Sequence, residues 1–425
     1  VALLLTQFAI ILVRSRAVWV AGILSAASVA LIVFLIIRNR PVQALFSGYG
    51  KSLVVVIVAL LVAVVVSAML FGHYNPAFSP WARMASIFDL ESGSISQRLL
   101  LWRKSVEMIK DNLMLGVGLG HWRIMLPSYG TAGMWSEGGI VHWQRPHNDF
   151  IWVLAETGLP GLIAYLSLFV IIMAYSVRII ARSEDAREKI FTALMLFGLI
   201  GYIVIASFSF PKERPMHSIL LVLLMAGIVS IYHRTFPLPK WATDKPVLPL
   251  AIPVFILLIS AVVAERRQID SEVHTKRALE ARENGQWSRV IDEINRAETG
   301  LSVMDPMATP LTWYRGVARF TLDDIDNAQA DFEKAYRVHP YHIHVLNNLA
   351  TCYELRGQHQ LAIGYYLQAL AVSPANEEVL INLGAAYYNS GRYRDAYATL
   401  LKCDTTTADA RLLLYLEAIR NKLER

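Results

Sequence analysis

Cysteine is nearly absent: Cys352 and Cys403 are the only two in 425 residues. That excludes a disulfide framework and a four-cysteine zinc site, and both thiols are expected to be small buried apolar side chains. Charge is scarce as well, at 17% of residues, against 55% hydrophobic residues and a mean hydropathy of +0.41. A wholly soluble chain of this length is excluded by that balance. Nucleotide and metal motifs are missing: there is no P-loop, no HExxH and no DxD pair in an external loop. GVGLGHW (116–122) has glycines at alternate positions, but no strand precedes it, so it reads as a tight turn and not as a dinucleotide fingerprint. The chain opens on Val1, inside an apolar run, with no pattern of basic, apolar and small residues that would mark a leader. An N-terminal part carrying further membrane helices is expected to precede it.

What is there is a series of apolar stretches long enough to cross a bilayer, which takes about 20 residues as a helix. Seven spans are read: 1–13 (partial), 17–37, 52–71, 159–178, 190–210, 217–232 and 248–264. A loop of about 80 residues, 72–149, separates the third from the fourth, and a polar tail, 265–425, follows the last. The expectation is an all-α protein, a polytopic transmembrane helix bundle (1–264) followed by an α-solenoid (265–425). Loops 38–51, 179–189 and 233–247 carry Arg38, Arg40, Lys51, Arg182, Arg187, Lys189, Arg234, Lys240 and Lys245. Basic residues collect on the cytoplasmic side, so the long loop, the hinge PKERPMH (211–217) and the tail are expected outside. The net charge of +6 belongs to those loops and gives no reason to expect nucleic acid.

Arg14 and Arg16 break the pattern, because parity puts them at the outer boundary. There they either snorkel to headgroups or capture an anionic group. In the long loop, Ile95, Leu99, Trp102, Val106 and Ile109 recur at helical spacing, predicting an amphipathic helix over 94–112 that lies on the membrane face. Arg98, on the edge of that stripe, is expected to point toward the membrane-embedded body.

The stretch RPHNDFIWVLAETGLPGL (145–162) runs from polar residues straight into a span. Pro146 suits a first helical turn, Asp149 suits the positive end of the helix dipole, and Gly158, Pro160 and Gly161 predict a break. His147 is then held at a helix start beside Arg145. A lone histidine there would be a cap or an interfacial residue; here Arg16, Arg98 and Arg145 are available to converge on it, with Lys212 and Arg214 of the hinge. A phosphorylated lipid or lipid-linked sugar is the anion this patch suits. Glu156, nine residues from His147, is turned by about 900° and faces away; a structural role is expected for it. Trp143, Gln144, Asn148 and Asp149 either contact sugar or hold the loop.

The tail repeats itself. Gly357 and Gly391, Pro340 and Pro374, Ala350 and Gly384, and Ala362 and Ala396 are each 34 residues apart. Degenerate copies occupy 313–340 and about 272–300. This period, with small residues where helices cross, resembles the tetratricopeptide repeat, which stacks helix pairs into a superhelix for a partner protein or as a brace.

Arg14-Ser15-Arg16 before a span, Arg98-x-x-x-Trp102 followed by GVGLG, and HND with ETGLPGL together resemble the O-antigen ligase/O-antigen polymerase superfamily of bacterial membrane glycosyltransferases, over residues 1–235. The resemblance implies a multi-pass cytoplasmic (inner) membrane enzyme, with its repeats in the periplasm or outside. It implies transfer of a glycan from undecaprenyl diphosphate without metal or cofactor. The acceptor would be a glycolipid, another glycan or a protein, as in ligases, polymerases and protein oligosaccharyltransferases. The family's essential arginines and histidine carry over to Arg16, Arg98 and His147, with Arg14 the neighbouring alternative to Arg16. Arg145, Asn148, Lys212 and Arg214 are candidate substrate contacts beside them. Arginines would hold the diphosphate and His147 would take the proton of the acceptor, with inversion at the anomeric carbon. Membrane lipid and a protein on the repeats are the further partners expected. A non-catalytic membrane scaffold is the rival of another class; a transporter would need polar residues deep in the spans, where almost none are found.

Overall fold

The computed structural model describes residues 24–25, 27–28, 31, 93–137, 139, 142–237, 248–300, 302–404 and 409–424. The expected spans at 1–13 and 52–71, most of 17–37, and both Arg14 and Arg16 lie outside the described residues. Among those described, fourteen α-helices and no strand are found. The chain divides into two units, Val1–Gly116 with Arg145–Lys245 and Val117–Gln144 with Pro246–Arg425.

The first unit is built on α1 (Gly93–Asp111) and, beyond the short α2 (Trp122–Met125) of the other unit, on α3 (Asp149–Arg182), α4 (Ala186–Phe208) and α5 (Pro215–Thr235). The last three are long and apolar enough to cross a membrane. Phe169, Ile172, Ile179, Leu196, Leu199 and Ile228 form their shared core. Gly198 and Gly227 let the helices approach, since a β-carbon would meet Leu224 at 3.0 Å or Met195 at 2.8 Å. The outward faces remain apolar: Ile163, Val170, Phe191, Leu194, Val222 and Leu223 are all exposed. Apolar surface on that scale is unfavourable in water and natural in a bilayer.

The break expected near Gly158 is there, as a kink with φ 66° and ψ −169° inside α3. The helix starts later than Pro146 suggested. Asn148 is the N-cap, its side chain accepting from the amides of Phe150 and Ile151 at 3.0 Å. The stripe expected on α1 is corrected. Leu99 and Val106 are exposed, while Gln97, Leu101, Ser105, Met108 and Ile109 form the buried face. Leucines run round this helix (Leu99, Leu100, Leu101), so spacing alone did not choose between its faces.

In the second unit, α6 (Leu248–Glu283) and α7 (Trp287–Ala297) pair. They are followed by α8 (Leu311–Thr321) with α9 (Ile325–Val338), α10 (Ile343–Leu355) with α11 (His359–Val372), α12 (Glu377–Asn389) with α13 (Tyr393–Leu400), and α14 (Ala410–Leu423). The expected division at 264/265 falls inside α6, whose first half exposes Ile252, Phe255, Leu257 and Val262. The repeat positions explain themselves. Gly285, Asp323, Gly357 and Gly391 make the turn within each pair at φ 68°, 62°, 72° and 78°, a conformation that glycine adopts freely and aspartate tolerates. Where the paired helices cross, a β-carbon on Gly316 would lie 2.6 Å from Phe332 and one on Gly384 2.4 Å from Leu400. Ala328, Ala362 and Ala396 are fully buried at the same place in three successive pairs. Cys352 and Cys403 are free and buried, as expected.

Candidate functional site

The site lies in the first unit, where the start of α3 meets the end of α4 and the 310 turn Pro211–Glu213. Arg145, Pro146, His147 and Asn148 approach α3 in extended chain, except at His147, whose φ is 57°. That left-handed residue aims the imidazole away from the direction an ordinary extended residue would give it. Two contacts fix the approach. The indole of Trp102 on α1 donates to the carbonyl of Pro146 at 2.7 Å, and Asn148 caps the helix.

Phe210 is the ring around which the charged groups gather. The Arg145 and Arg214 guanidiniums lie over it, 4.7 and 4.8 Å from its centroid, at cation–π distance. The His147 ring meets it edge-on at 5.1 Å. Arg145 is also paired with Glu213. Arg98 reaches over from α1, donating to the carbonyl of Phe208 at 3.2 Å. Burial is the main reason the His147 pKa falls from 6.5 to about 4, and Arg98, Arg145 and Arg214 lower it further. His147 is therefore neutral near pH 7, with three guanidiniums close enough to act on it.

Lys212 turns the other way. Its amide donates to the Asp149 carboxylate at 3.1 Å, and its ammonium lies 3.7 Å from the centroid of Trp152. Burial lowers its pKa, while Asp149, Glu156 and Glu213 oppose that. Asp149, Trp152 and Glu156 are all buried on one side of α3, so Lys212 supplies the positive charge to that acidic face.

Of the residues expected to converge, the structure brings together Arg98, Arg145, His147 and Arg214. Asn148 stands beside them with its side-chain oxygen committed to the cap. Lys212 belongs to the Asp149–Trp152 contact, and Arg14 and Arg16 lie outside the described residues. Phe210 and Glu213 were not anticipated. Their residue types carry no motif, and the one cue was that Glu213 lies in the hinge already noted for its basic residues and Phe210 directly before it. Among the described residues, no group of three or more histidine, cysteine, aspartate or glutamate side chains is placed to hold a metal ion. The arrangement offers a proton acceptor next to an anion-binding edge.

Residues 1–166 match the family model described as O-Antigen ligase, and residues 307–375 and 354–416 match two models of the tetratricopeptide repeat. The chain is a membrane protein whose first 166 residues are similar to the O-antigen ligase family and whose C-terminal part carries tetratricopeptide repeats. The ligase match includes Arg98 and His147 and ends before Phe210 and Arg214. Among solved structures, three of MamA (a point mutant, the MSR-1 protein and the AMB-1 protein) are each 16% identical to this chain. They cover 37% of it and 88 to 90% of their own length, with a TM-score of 0.32. No curated protein matches the chain.

Proposed function

We propose that this protein transfers a glycan from a polyprenyl diphosphate, undecaprenyl diphosphate in bacteria, to an acceptor at the outer face of the cytoplasmic membrane. The observation that carries this reading is the neutral His147 imidazole set among Arg98, Arg145 and Arg214. His147 accepts the proton of the acceptor hydroxyl as its oxygen attacks the anomeric carbon. The bond from that carbon to the diphosphate oxygen breaks, and the electron pair leaves with the diphosphate. The guanidiniums stabilise the charge that builds there, with Arg16, or Arg14, as a further cation. Attack from the side opposite the leaving group inverts the anomeric configuration. As the diphosphate binds, its negative charge raises the His147 pKa and makes the imidazole a stronger base.

The test is transfer in liposomes from a polyprenyl-diphosphate-linked glycan by purified wild-type, Arg98→Ala and His147→Asn protein. Loss of transfer with normal folding supports the reading; undiminished transfer by both variants overturns it. Lipid-linked glycan in a deletion strain identifies the acceptor class. Full-length polymer accumulates if the enzyme is a ligase and single units if it is a polymerase. The repeats favour a second reading, a membrane scaffold that recruits a partner protein. It predicts normal surface glycan in cells carrying the two variants.

A further inference from the structure

The second unit holds a histidine cluster with no part in that chemistry. His142 comes from the Val117–Gln144 strap of the long loop. His339 and His342 come from the turn between α9 and α10, and His344 from α10. The His142 and His342 rings stack at 4.7 Å. His339 meets His342 edge-on at 5.3 Å, and His344 lies 5.8 Å from His342 and 6.5 Å from His142. Trp313 backs His342 and His344 at 6.1 and 5.9 Å. His339 and His342 are each only 2% exposed. Neither ring nitrogen of His342, nor Nδ1 of His339, has a hydrogen-bond partner among the described residues.

Around the cluster, the strap is fastened to the repeats by bonds that do not titrate. The amide and hydroxyl of Thr131 both donate to the carbonyl of Val372 at 2.9 Å. Ser373 donates to the carbonyl of Glu137, and Arg123 to that of Pro306 at 3.3 Å. His344 Nε2 lies 3.0 Å from the carbonyl of Gly139 and donates to it. Gly139 fits only without a side chain, since a β-carbon would lie 2.7 Å from Ile343. The groups facing the seam are thus four imidazoles and the Arg123 guanidinium, which acts on His339. Asp305 feels Arg123 but accepts hydrogen bonds from Tyr314 and the Thr309 amide. Among the described residues no carboxylate pairs with the imidazoles, so a proton on one of them would place an imidazolium beside other buried rings and a cation.

We infer that this seam is an acid-released clasp: uncharged histidines keep the Val117–Gln144 strap on the repeats, and protonation of the cluster frees it. The inference stands apart from the transferase reading. Burial lowers His142 to about 4 and His339 to about 3, and pushes His342 down as well, with neighbouring histidines adding to each. The docked strap therefore binds fewer protons than the free one, whose histidines titrate near 6.5. As pH falls below 6.5, docking weakens by up to about tenfold per pH unit for each histidine that is uncovered, until the docked value is reached.

The experiment is hydrogen exchange by mass spectrometry on the full chain in detergent micelles at pH 7.5, 6.5, 5.5 and 5.0, corrected for intrinsic exchange. Protection across 117–144 should fall at least tenfold between pH 7.5 and 5.5, while 149–182 and 377–389 keep theirs. In the double variant His142→Phe with His342→Phe, which retains the stack and removes two of the proton sites while leaving His339 and His344, the drop should be clearly smaller than in the wild type. Strap protection that does not change down to pH 5.0 in the wild-type protein overturns the clasp, and so does an equal drop in the double variant. The wild-type profile decides by itself if the variant does not fold.

Discussion

Gly116 and Gly158 each rest on the backbone beside the other. A β-carbon on Gly116 would lie 2.4 Å from the carbonyl carbon of Glu156, and one on Gly158 would lie 2.4 Å from the carbonyl oxygen of Met114. The amide of Leu159 donates to the carbonyl of Leu113 at 2.9 Å across the same contact. The glycines of GVGLG and ETGLPG are therefore two halves of one backbone junction, which ties the end of α1's loop to the kink of α3. Both have positive φ, 68° and 66°. Alanine at either should cost about 3 kcal/mol, the left-handed penalty plus a clash with backbone that has nowhere to move. Gly120, at φ 74° with nothing within 4 Å, should lose only the first part, about 1–2 kcal/mol. Thermal unfolding midpoints in detergent check this. If Gly116→Ala melts no lower than Gly120→Ala, the junction does not bear on stability.

In the proposed reaction, His147 is the group expected to set the pH dependence of transfer. With its pKa held near 4, the acid limb of kcat/KM for the donor should not appear between pH 8 and about 5. Replacing Arg98 by Gln removes one of the charges that keep the proton off and should move the limb upward, toward 6.5. His147→Asn is the informative substitution at the base itself. Asparagine tolerates the left-handed backbone found here, so the fold persists while transfer falls about a hundred- to ten-thousandfold. A wild-type limb already present at pH 6.5 would mean that the imidazole is not the base or is not shielded.

Local features of the sequence carried most of the architecture. The 34-residue period was visible because each repeat needs the same small residue at the helix crossing and the same turn residue four or five positions beyond the first helix's core. Gly158 announced a break because a kink of that kind needs a positive φ. The junction between the two glycine motifs was not legible, since a turn and a kink 42 residues apart carry no sign of touching. Phe210 and Glu213 come to Arg145 from 65 and 68 residues away, brought there by the packing of α3 against α4. Asn148 was read only as a sugar contact or a brace for the loop, and its place as the N-cap was hidden because Pro146 argued for an earlier start. His142 and His342 are 200 residues apart, and neither is unusual until the strap places them in one stack.

Lys212 separates two roles that look alike in a basic hinge. Its side chain faces Trp152 and the buried Asp149 and Glu156, away from the Phe210 ring that Arg145 and Arg214 share. Lys212→Met should remove the cation from the Trp152 ring and from the acidic face and destabilise the first unit by about 1–2 kcal/mol. Arg214→Met should weaken donor binding and change the melting midpoint little. The pair is compared by melting in detergent and by donor KM in liposomes. A stable Lys212→Met protein with a raised KM would move Lys212 into the anion site.

In the repeats, Arg315 is the residue most exposed to a single substitution, because it joins three helices at once. It is 6% exposed, and its guanidinium forks onto the fully buried Asp331 of α9 at 2.8–3.1 Å. It also donates to Asn295 of α7 and to Glu298 at 2.7 and 2.8 Å. Arg319 makes a second contact to Asp331 at 2.7 Å. Arg315→Met leaves Asp331 buried with half its partners, at a cost of about 3–5 kcal/mol. Arg315→Lys keeps the charge but not the fork, and should lie between that variant and the wild type. Stacked repeats touch only their neighbours, so the damage should stay local. Hydrogen exchange should rise over 287–338 and remain near wild type over 377–400. Uniform loss of protection across 287–400 would show instead that the array unfolds as one cooperative block.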